Sequence, residues 1–370
     1  MFLNSLKLTN FRTYSKLDFK FKSPLTILVG DNAKGKSNFL ESIYFLATTK
    51  SPKADKDEEL IKKRQVVLRV EGELEDKTSL EIVMMSFGSG HSAELSRSPQ
   101  DKQRGLTKRV KVNKIPKRIL DYIGNLAVVS FSPEDINLVT GAPSLRRWHI
   151  DLTLAQIDKE YKKVLTQYEE VVIKKNRILK KIKEGLGKMD ELTFWLNQQI
   201  NLGQIVTLKR ADFFKFINSV EKKFGDYQFE YLKSETSKER LEEYLPREIA
   251  SASSLIGPHR DDFKFIALDN GENKDLAHFG SRGEQRTAVL DLKIAEASFV
   301  EKILGKRPIL LLDDVFSELD LNHREHVIAL TELQQTIITA IELDYYLKDK
   351  LKEANIFSVE NGQLNEITDK

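Results

Sequence analysis

Apolar and polar positions along the first 87 residues recur in the β manner, in five short runs: SLKLT, KLDFKF, TILVG, VVLRVEGEL and SLEIVMM. Runs of this length and period predict strands and a sheet-rich N-terminal lobe. Between Phe87 and Gly105 the chain turns polar and rich in turn residues, which predicts an exposed hairpin tip or loop. NLAVVSF then reads as a buried strand ending at Phe131, followed by Ser132 as a helix N-cap with Pro133 at the first helical position. From there the period lengthens. Val164, Tyr168, Val171, Ile178, Ile182 and Leu186 recur at helical spacing, and a second helical run extends from Leu192 to Phe224, with Gly185 and Gly187 at the break. β character returns at DDFKFIAL, and a long amphipathic helix is predicted to reach Leu304. RPILLLDD, apolar without alternation, predicts a buried parallel strand. NHREHVIALTEL reads as a helix, QTIITAI as a strand and YYLKDKLKEA as a last short helix.

Composition narrows the class only a little. The 370 residues are 40% hydrophobic and 31% charged, a globular balance with room for two or three domains. The net charge of +3 does not by itself mark a nucleic-acid binder, so the local distribution of Lys and Arg has to decide. With no cysteine, disulfides, thiolate zinc sites and cysteine nucleophiles are excluded. No run approaches the roughly 20 apolar residues of a membrane span, and the N-terminus lacks a signal pattern, so a cytoplasmic protein is expected.

The candidate chemistry begins at Gly30, where the sequence runs Gly30-Asp31-Asn32-Ala33-Lys34-Gly35-Lys36-Ser37, preceded by an apolar strand and followed from Asn38 by a helical pattern. This is the G-x-x-x-x-G-K-[ST] phosphate-binding loop in its required context. Its backbone N–H groups would wrap a nucleotide's phosphates, Lys36 would meet the β- and γ-phosphates, and the Ser37 hydroxyl would meet Mg²⁺. Such a loop needs a distant acid for the metal, and PILLLDD supplies Asp313, with Asp314 one residue on as a candidate general base. A nucleoside triphosphate and Mg²⁺ are therefore expected, with Lys36, Asp313 and Asp314 the catalytic candidates and Ser37 and Asp313 the metal ligands; the resemblance described next implies that the nucleotide is ATP.

A third element lies before the acidic strand. Phe279-Gly280-Ser281-Arg282-Gly283-Glu284-Gln285-Arg286-Thr287 resembles the signature motif of the ABC ATPases, which implies that Ser281, Gly283 and Gln285 contact the γ-phosphate held by another subunit's P-loop. VFSELD resembles their D-loop, with Ser317, Leu319 and Asp320 at a dimer seam. Together with LTNFRTY, GDNAKGKSNFLESIYFLATTKSPK, FSPEDINLVTGAPSLRRWHID, SRGEQRTAVLDLKIAE and PILLLDDVFSELD, these segments closely resemble the RecF family of bacterial recombination mediators, related to the SMC ATPases, across essentially the whole chain.

The resemblance implies an α/β fold: an ABC-type P-loop ATPase head of mixed sheets with helices, from residues 1–131 and 255–370, plus a compact α-helical subdomain at 132–254. It implies an ATP-dependent homodimer at DNA gaps, bound to duplex and single-strand/duplex junctions without sequence readout. It further implies RecR and RecA as partners, with roles in DNA replication, repair and SOS induction. The residues depart from the wider ABC pattern in places. Arg282 and Glu284 make the signature turn more charged than the family's, Asp314 stands where transporters and SMC proteins carry Glu, and TIITAIE offers no switch His. Weak, DNA-stimulated hydrolysis used as a switch is the expectation. The insert between the P-loop and the signature is too short for an SMC coiled coil. The alternative is a nucleotide-binding subunit of another ABC-type ATPase, a transporter or other SMC-like protein. A transporter subunit is disfavoured by the missing switch His and by Ser132-Pro133-Glu134 where a Q-loop Gln is expected, and a metabolite kinase leaves SRGEQRT and SELD unexplained.

Two basic sets are DNA candidates: Lys102, Arg104, Lys108, Arg109, Lys111, Lys114, Lys117 and Arg118, and on the first long helix Lys162, Lys163, Lys174, Lys175, Arg177, Lys180, Lys181 and Lys183. His259 beside Asp261 and Asp262 reads as a turn rather than a metal site, and Arg146 and Arg147 with Trp148 are candidates for the nucleotide or the dimer seam.

Overall fold

The computed structural model describes residues 1–87, 105–269, 272–319, 321–342 and 354–367. The predicted loop between Phe87 and Gly105, the predicted last helix, Lys102, Arg104 and Asp320 lie outside the described residues. Two compact units are present: residues 1–133 with 300–370, and residues 134–299.

The first unit holds two six-stranded sheets. One is antiparallel, in the order β2 (Tyr14–Lys20), β1 (Leu3–Phe11), β4 (Val67–Leu74), β5 (Ser79–Phe87), β6 (Gly105–Val112), β7 (Ile115–Lys117). The basic stretch after Gly105 is thus a pair of strands, β6 continuing the sheet beside β5. The other sheet runs β15 (Gln363–Glu366), β14 (Asn355–Glu360), β3 (Leu25–Val29), β13 (Thr336–Ala340), β12 (Ile309–Asp313), β8 (Val128–Phe131). All its pairs are parallel except β14 with β15. β12 and β13 are buried at every position, as their unbroken apolar runs require of central parallel strands.

Helix α1 (Lys36–Thr48) packs against strands of both sheets, which explains why it is buried nearly all round rather than along one stripe. Phe39 of α1 sits edge-on to Phe19 at 5.3 Å, and Phe19 meets Phe357 at 4.9 Å, an aromatic cluster under the loop that precedes the helix. The short α2 (Ile119–Tyr122) and, later in the chain, α10 (Leu321–Thr331) also belong to this unit.

The second unit contains α3 (Asn137–Thr140), α4 (Pro143–Ile157), α5 (Lys159–Lys183), α6 (Asp190–Ser219), α7 (Lys238–Ser251), α8 (Leu276–Phe279) and the greater part of α9 (Arg282–Leu304). α5 and α6 form the expected helical pair, broken at Gly185 and Gly187, with Asp158 capping α5 by accepting from Tyr161 N–H at 2.9 Å. A three-stranded sheet, β11 (Glu272–Asp275), β10 (Asp262–Asp269), β9 (Tyr227–Leu232), belongs to the same unit. The boundary expected at 254 therefore lies at 299. β10 pairs antiparallel with β9, so the segment after 254 closes onto the helical part instead of returning to the head.

Buried ionic groups organise this second unit. Arg210 of α6, 1% exposed, donates to Asp151 at 2.7 Å, to Asp261 at 2.7 Å and to the Pro258 carbonyl at 2.7 Å. Lys175 of α5 and Glu248 of α7 pair at 2.6 Å with both side chains fully buried. Asp291 of α9 is 2% exposed and accepts from the Lys223 and Phe224 backbone N–H groups at 2.7 and 3.1 Å. Burial outweighs these bonds and pushes its pKa up to about 6. A raised carboxylate pKa means that the folded unit holds this proton more tightly than the unfolded chain, so stability falls as pH rises from about 4 through about 6. In Asp291→Asn that pH dependence should shrink by on the order of 2 kcal/mol. The check is chemical unfolding of both chains at pH 4.5 and 6.5: the lost Phe224 contact shifts both pH values equally, so the slope isolates the charge.

Candidate nucleotide-binding site

Strand β3 feeds the loop that α1 closes. Gly30 and Gly35 have φ of 148° and 116°, a region L side chains rarely adopt, and Ala33 is left-handed at φ 63°. A Cβ on Gly30 would lie 2.8 Å from the Val359 carbonyl oxygen, and one on Gly35 2.9 Å from Thr13 Oγ1. Backbone angle and crowding thus require glycine at both positions. The loop is tied down from outside: the Tyr14 hydroxyl donates to the Gly35 carbonyl at 3.0 Å, and Gly362 N–H to the Lys34 carbonyl at 3.3 Å. Burial raises the Tyr14 pKa and keeps it a neutral donor. Asn38 donates to Thr13 Oγ1 at 3.1 Å, and Asp31, Asn32 and Ala33 form the exposed crest. Lys36, 4% exposed, turns back into the loop and donates to the Gly30 and Asp31 carbonyls at 2.6 and 3.1 Å.

Asp313 stands at the C-terminal end of β12, at 5% exposure. Ser37 Oγ donates to its Oδ1 at 2.8 Å, across 276 residues of sequence. The predicted metal pair therefore meets, and a hydroxyl beside a carboxylate is the hard-oxygen donor set that suits Mg²⁺ completed by phosphate oxygens. Two further residues join them that the sequence reading missed. Thr339 Oγ1 of β13 donates to the same Asp313 oxygen at 2.7 Å, and Lys53 Nζ lies 2.8 Å from Oδ2. Thr339, a hydroxyl within the buried run TIITA, was a readable signal, whereas nothing in KSPKADK distinguishes Lys53. Asp314 is left-handed at φ 50°, with its N–H on Thr339 Oγ1 at 3.0 Å and its carbonyl accepting from the Ser317 hydroxyl at 2.8 Å. Leu319 is buried.

In the second unit, the signature-like turn is a capping box at the start of α9. Ser281 Oγ accepts from Glu284 N–H at 3.3 Å, and Glu284 Oε2 accepts from Ser281 N–H at 2.7 Å. Lys274 also pairs with Glu284 at 2.7 Å, and these contacts hold the Glu284 pKa down to about 2. Gly283 faces open space, since a Cβ there meets only Ser281 Oγ at 4.0 Å. Gln285 is buried and donates to the Leu276 and Gly280 carbonyls at 2.8 and 3.3 Å, so its amide fixes the turn from within.

Several candidates turn out to be structural. Arg146 forms a bidentate pair with Asp262 at 2.6 and 2.9 Å and donates to the Gly141 carbonyl at 2.8 Å, and Arg147 donates to the Asp261 carbonyl at 2.8 Å. His259 takes the Tyr168 hydroxyl on Nδ1 at 2.7 Å and donates from Nε2 to the Ser254 carbonyl at 3.1 Å; burial lowers its pKa to about 4. The turn reading holds. Of the basic sets, Lys108 is engaged by Asp57 at 2.7 Å and by the Thr49 carbonyl at 2.6 Å, and Lys111 by Glu81 at 2.9 Å, while Arg109, Lys114 and Lys117 are exposed. Lys175 is buried against Glu248, and Lys163, Lys174, Arg177, Lys180, Lys181 and Lys183 are exposed. Lys174 sits over the Trp195 ring at 5.0 Å beside Phe194, 59% exposed, so α6 places aromatics beside the α5 lysines.

Comparison with known proteins agrees with this geometry. The family model for the RecF/RecN/SMC N terminal domain matches residues 2–365. The chain is 34% identical to the DNA replication and repair protein RecF of Agathobacter rectalis, covering 99% of each chain. It is 35% identical to that of Halalkalibacterium halodurans, covering 98% of this chain and 99% of the relative. The solved structure of the recombination mediator protein RecF–ATP in the RecFOR pathway superposes with a TM-score of 0.84 at 29% identity, covering 99% and 98% of the two chains. Among the described residues no helix is long and apolar enough to cross a membrane. The chain therefore belongs to the RecF/RecN/SMC N terminal domain family, its near full-length relatives there being RecF proteins.

Proposed function

We propose that this chain is an ATP-controlled, DNA-binding recombination mediator of the cytoplasm, acting in DNA replication and repair at gaps. The observation that carries the reading is the Ser37–Asp313 bond at 2.8 Å beneath a fully formed phosphate loop; likeness to a RecF–ATP structure over nearly the whole chain supports it. Loop amides and Lys36 bind the triphosphate, and Ser37 and Asp313 hold the Mg²⁺ that would neutralise its charge. Asp314 orients water for slow hydrolysis. The open turn at Gly283 and the N-terminus of the 23-residue α9 suit the γ-phosphate of a second copy, which takes the Ser281 N–H from Glu284 on docking. ATP thus closes a homodimer, and two weak basic surfaces become one that tracks duplex phosphates without reading bases. Hydrolysis releases it. RecR and RecA are the partners this reading brings with it.

The test is size-exclusion chromatography with light scattering, paired with DNA titration. Wild type should change from monomer to dimer with ATP and bind duplex at least about tenfold more tightly, the gain weakening with salt. Ser281→Arg should still bind ATP but remain monomeric and lose the gain. A wild-type chain that stays monomeric with ATP, or a Ser281→Arg chain that dimerises as well as wild type, would overturn the reading.

A further inference from the structure

Asp313 is held by three cationic or hydroxyl donors, and one of them is a lysine. Lys53 Nζ lies 2.8 Å from Oδ2, the carboxylate being 8% exposed and the lysine 30%. The other carboxylate oxygen carries Ser37 and Thr339, so Lys53 supplies the positive charge on the face away from them. The segment that carries it is built for the task. Glu41, buried on α1, is clamped by Arg12 through two bonds of 2.9 and 2.7 Å. Glu41 in turn accepts from Ser51 Oγ at 2.5 Å, and Ser51 Oγ accepts from the Lys53 and Ala54 N–H groups at 2.9 and 3.0 Å. The backbone beneath Lys53 is therefore pinned, and its four-carbon stem carries the ammonium to Asp313.

We infer that Lys53 is a built-in cation for the magnesium position: its ammonium neutralises Asp313 and competes with the divalent ion for that carboxylate. Metal then binds well only with nucleotide, whose phosphate oxygens add ligands and give the displaced ammonium another anion within reach of its stem. Lys53 makes metal binding conditional on nucleotide, acting as a positioning residue through Asp313. The inference rests on reading Ser37 and Asp313 as the divalent site.

Mn²⁺ binding followed by electron paramagnetic resonance tests it without hydrolysis. In nucleotide-free protein, Lys53→Met should bind Mn²⁺ about tenfold more tightly than wild type, the size of one partly buried charge contact. Lys53→Arg should stay as weak as wild type. Adding ADP should raise Mn²⁺ affinity by a smaller factor in Lys53→Met than in wild type, because the competitor is already gone. A nucleotide-free Lys53→Met chain within twofold of wild type overturns the role of Lys53. Failure of the site reading is distinguishable: Asp313→Asn would then bind Mn²⁺ in the presence of ADP as tightly as wild type does.

Discussion

Replacing Lys36 with alanine should weaken Mg²⁺–ATP binding at least about a hundredfold, roughly 3 kcal/mol, while leaving the fold intact. The ammonium is positioned before any nucleotide arrives, held by the Gly30 and Asp31 carbonyls at 2.6 and 3.1 Å inside a loop whose glycines permit no side chain. A triphosphate replaces two neutral acceptors with charged ones in a partly enclosed site, so the gain on binding is large and falls almost entirely on this one group. The carbonyls left behind in the variant reach water, because Gly30 is half-buried and Asp31 exposed, and α1 remains anchored by Phe39 and Ile43. Titration with a fluorescent ATP analogue, alongside thermal melting, checks both halves; an affinity within threefold of wild type would contradict the assignment of the loop.

Arg210→Met should destabilise the second unit by about 3–5 kcal/mol. Methionine keeps much of the apolar stem but removes the guanidinium from Asp151, Asp261, Tyr161 and the Pro258 carbonyl in one step. Asp261, itself 1% exposed, keeps Tyr231 and the Ser234 N–H as partners but loses its only formal positive neighbour at ion-pair distance among the described residues. Two carboxylates with one compensating charge removed must take up protons or admit water, and either disrupts the packing of Pro258 against α6. Urea unfolding gives the number.

Strand, phosphate loop and helix between Leu25 and Thr48 were legible because everything that specifies them is local: an apolar run, two glycines at angles other residues avoid, and an apolar helix after them. The same holds for β12 with its terminal Asp313, and for the α5/α6 pair with its glycine break. Lys175 shows a signal that was present and passed over. It falls in the series Val164, Tyr168, Val171, Lys175, Leu179, at the spacing of a buried stripe, yet counts as one more lysine in a basic run unless the period is followed through it. Its partner Glu248 sits 73 residues away on α7 and has no local mark.

The sequence by itself determined the element types along most of the chain, the phosphate-loop motif and the strand that ends at Asp313, because periodicity and turn chemistry act over a few residues. Tertiary structure decided which distant groups share a carboxylate: Ser37, Thr339 and Lys53 meet Asp313 only because β3, β13 and β12 lie side by side and the loop after α1 returns to their ends. It also decided that residues 255–299 join the second unit, through the pairing of β10 with β9, and that Arg146, Asp261 and Asp262 serve the fold. Hydrogen bonds and ion pairs depend on angstroms in space: the two motifs pointed Ser37 toward Asp313, but nothing local placed Thr339 or Lys53 on the same carboxylate until the sheet is formed.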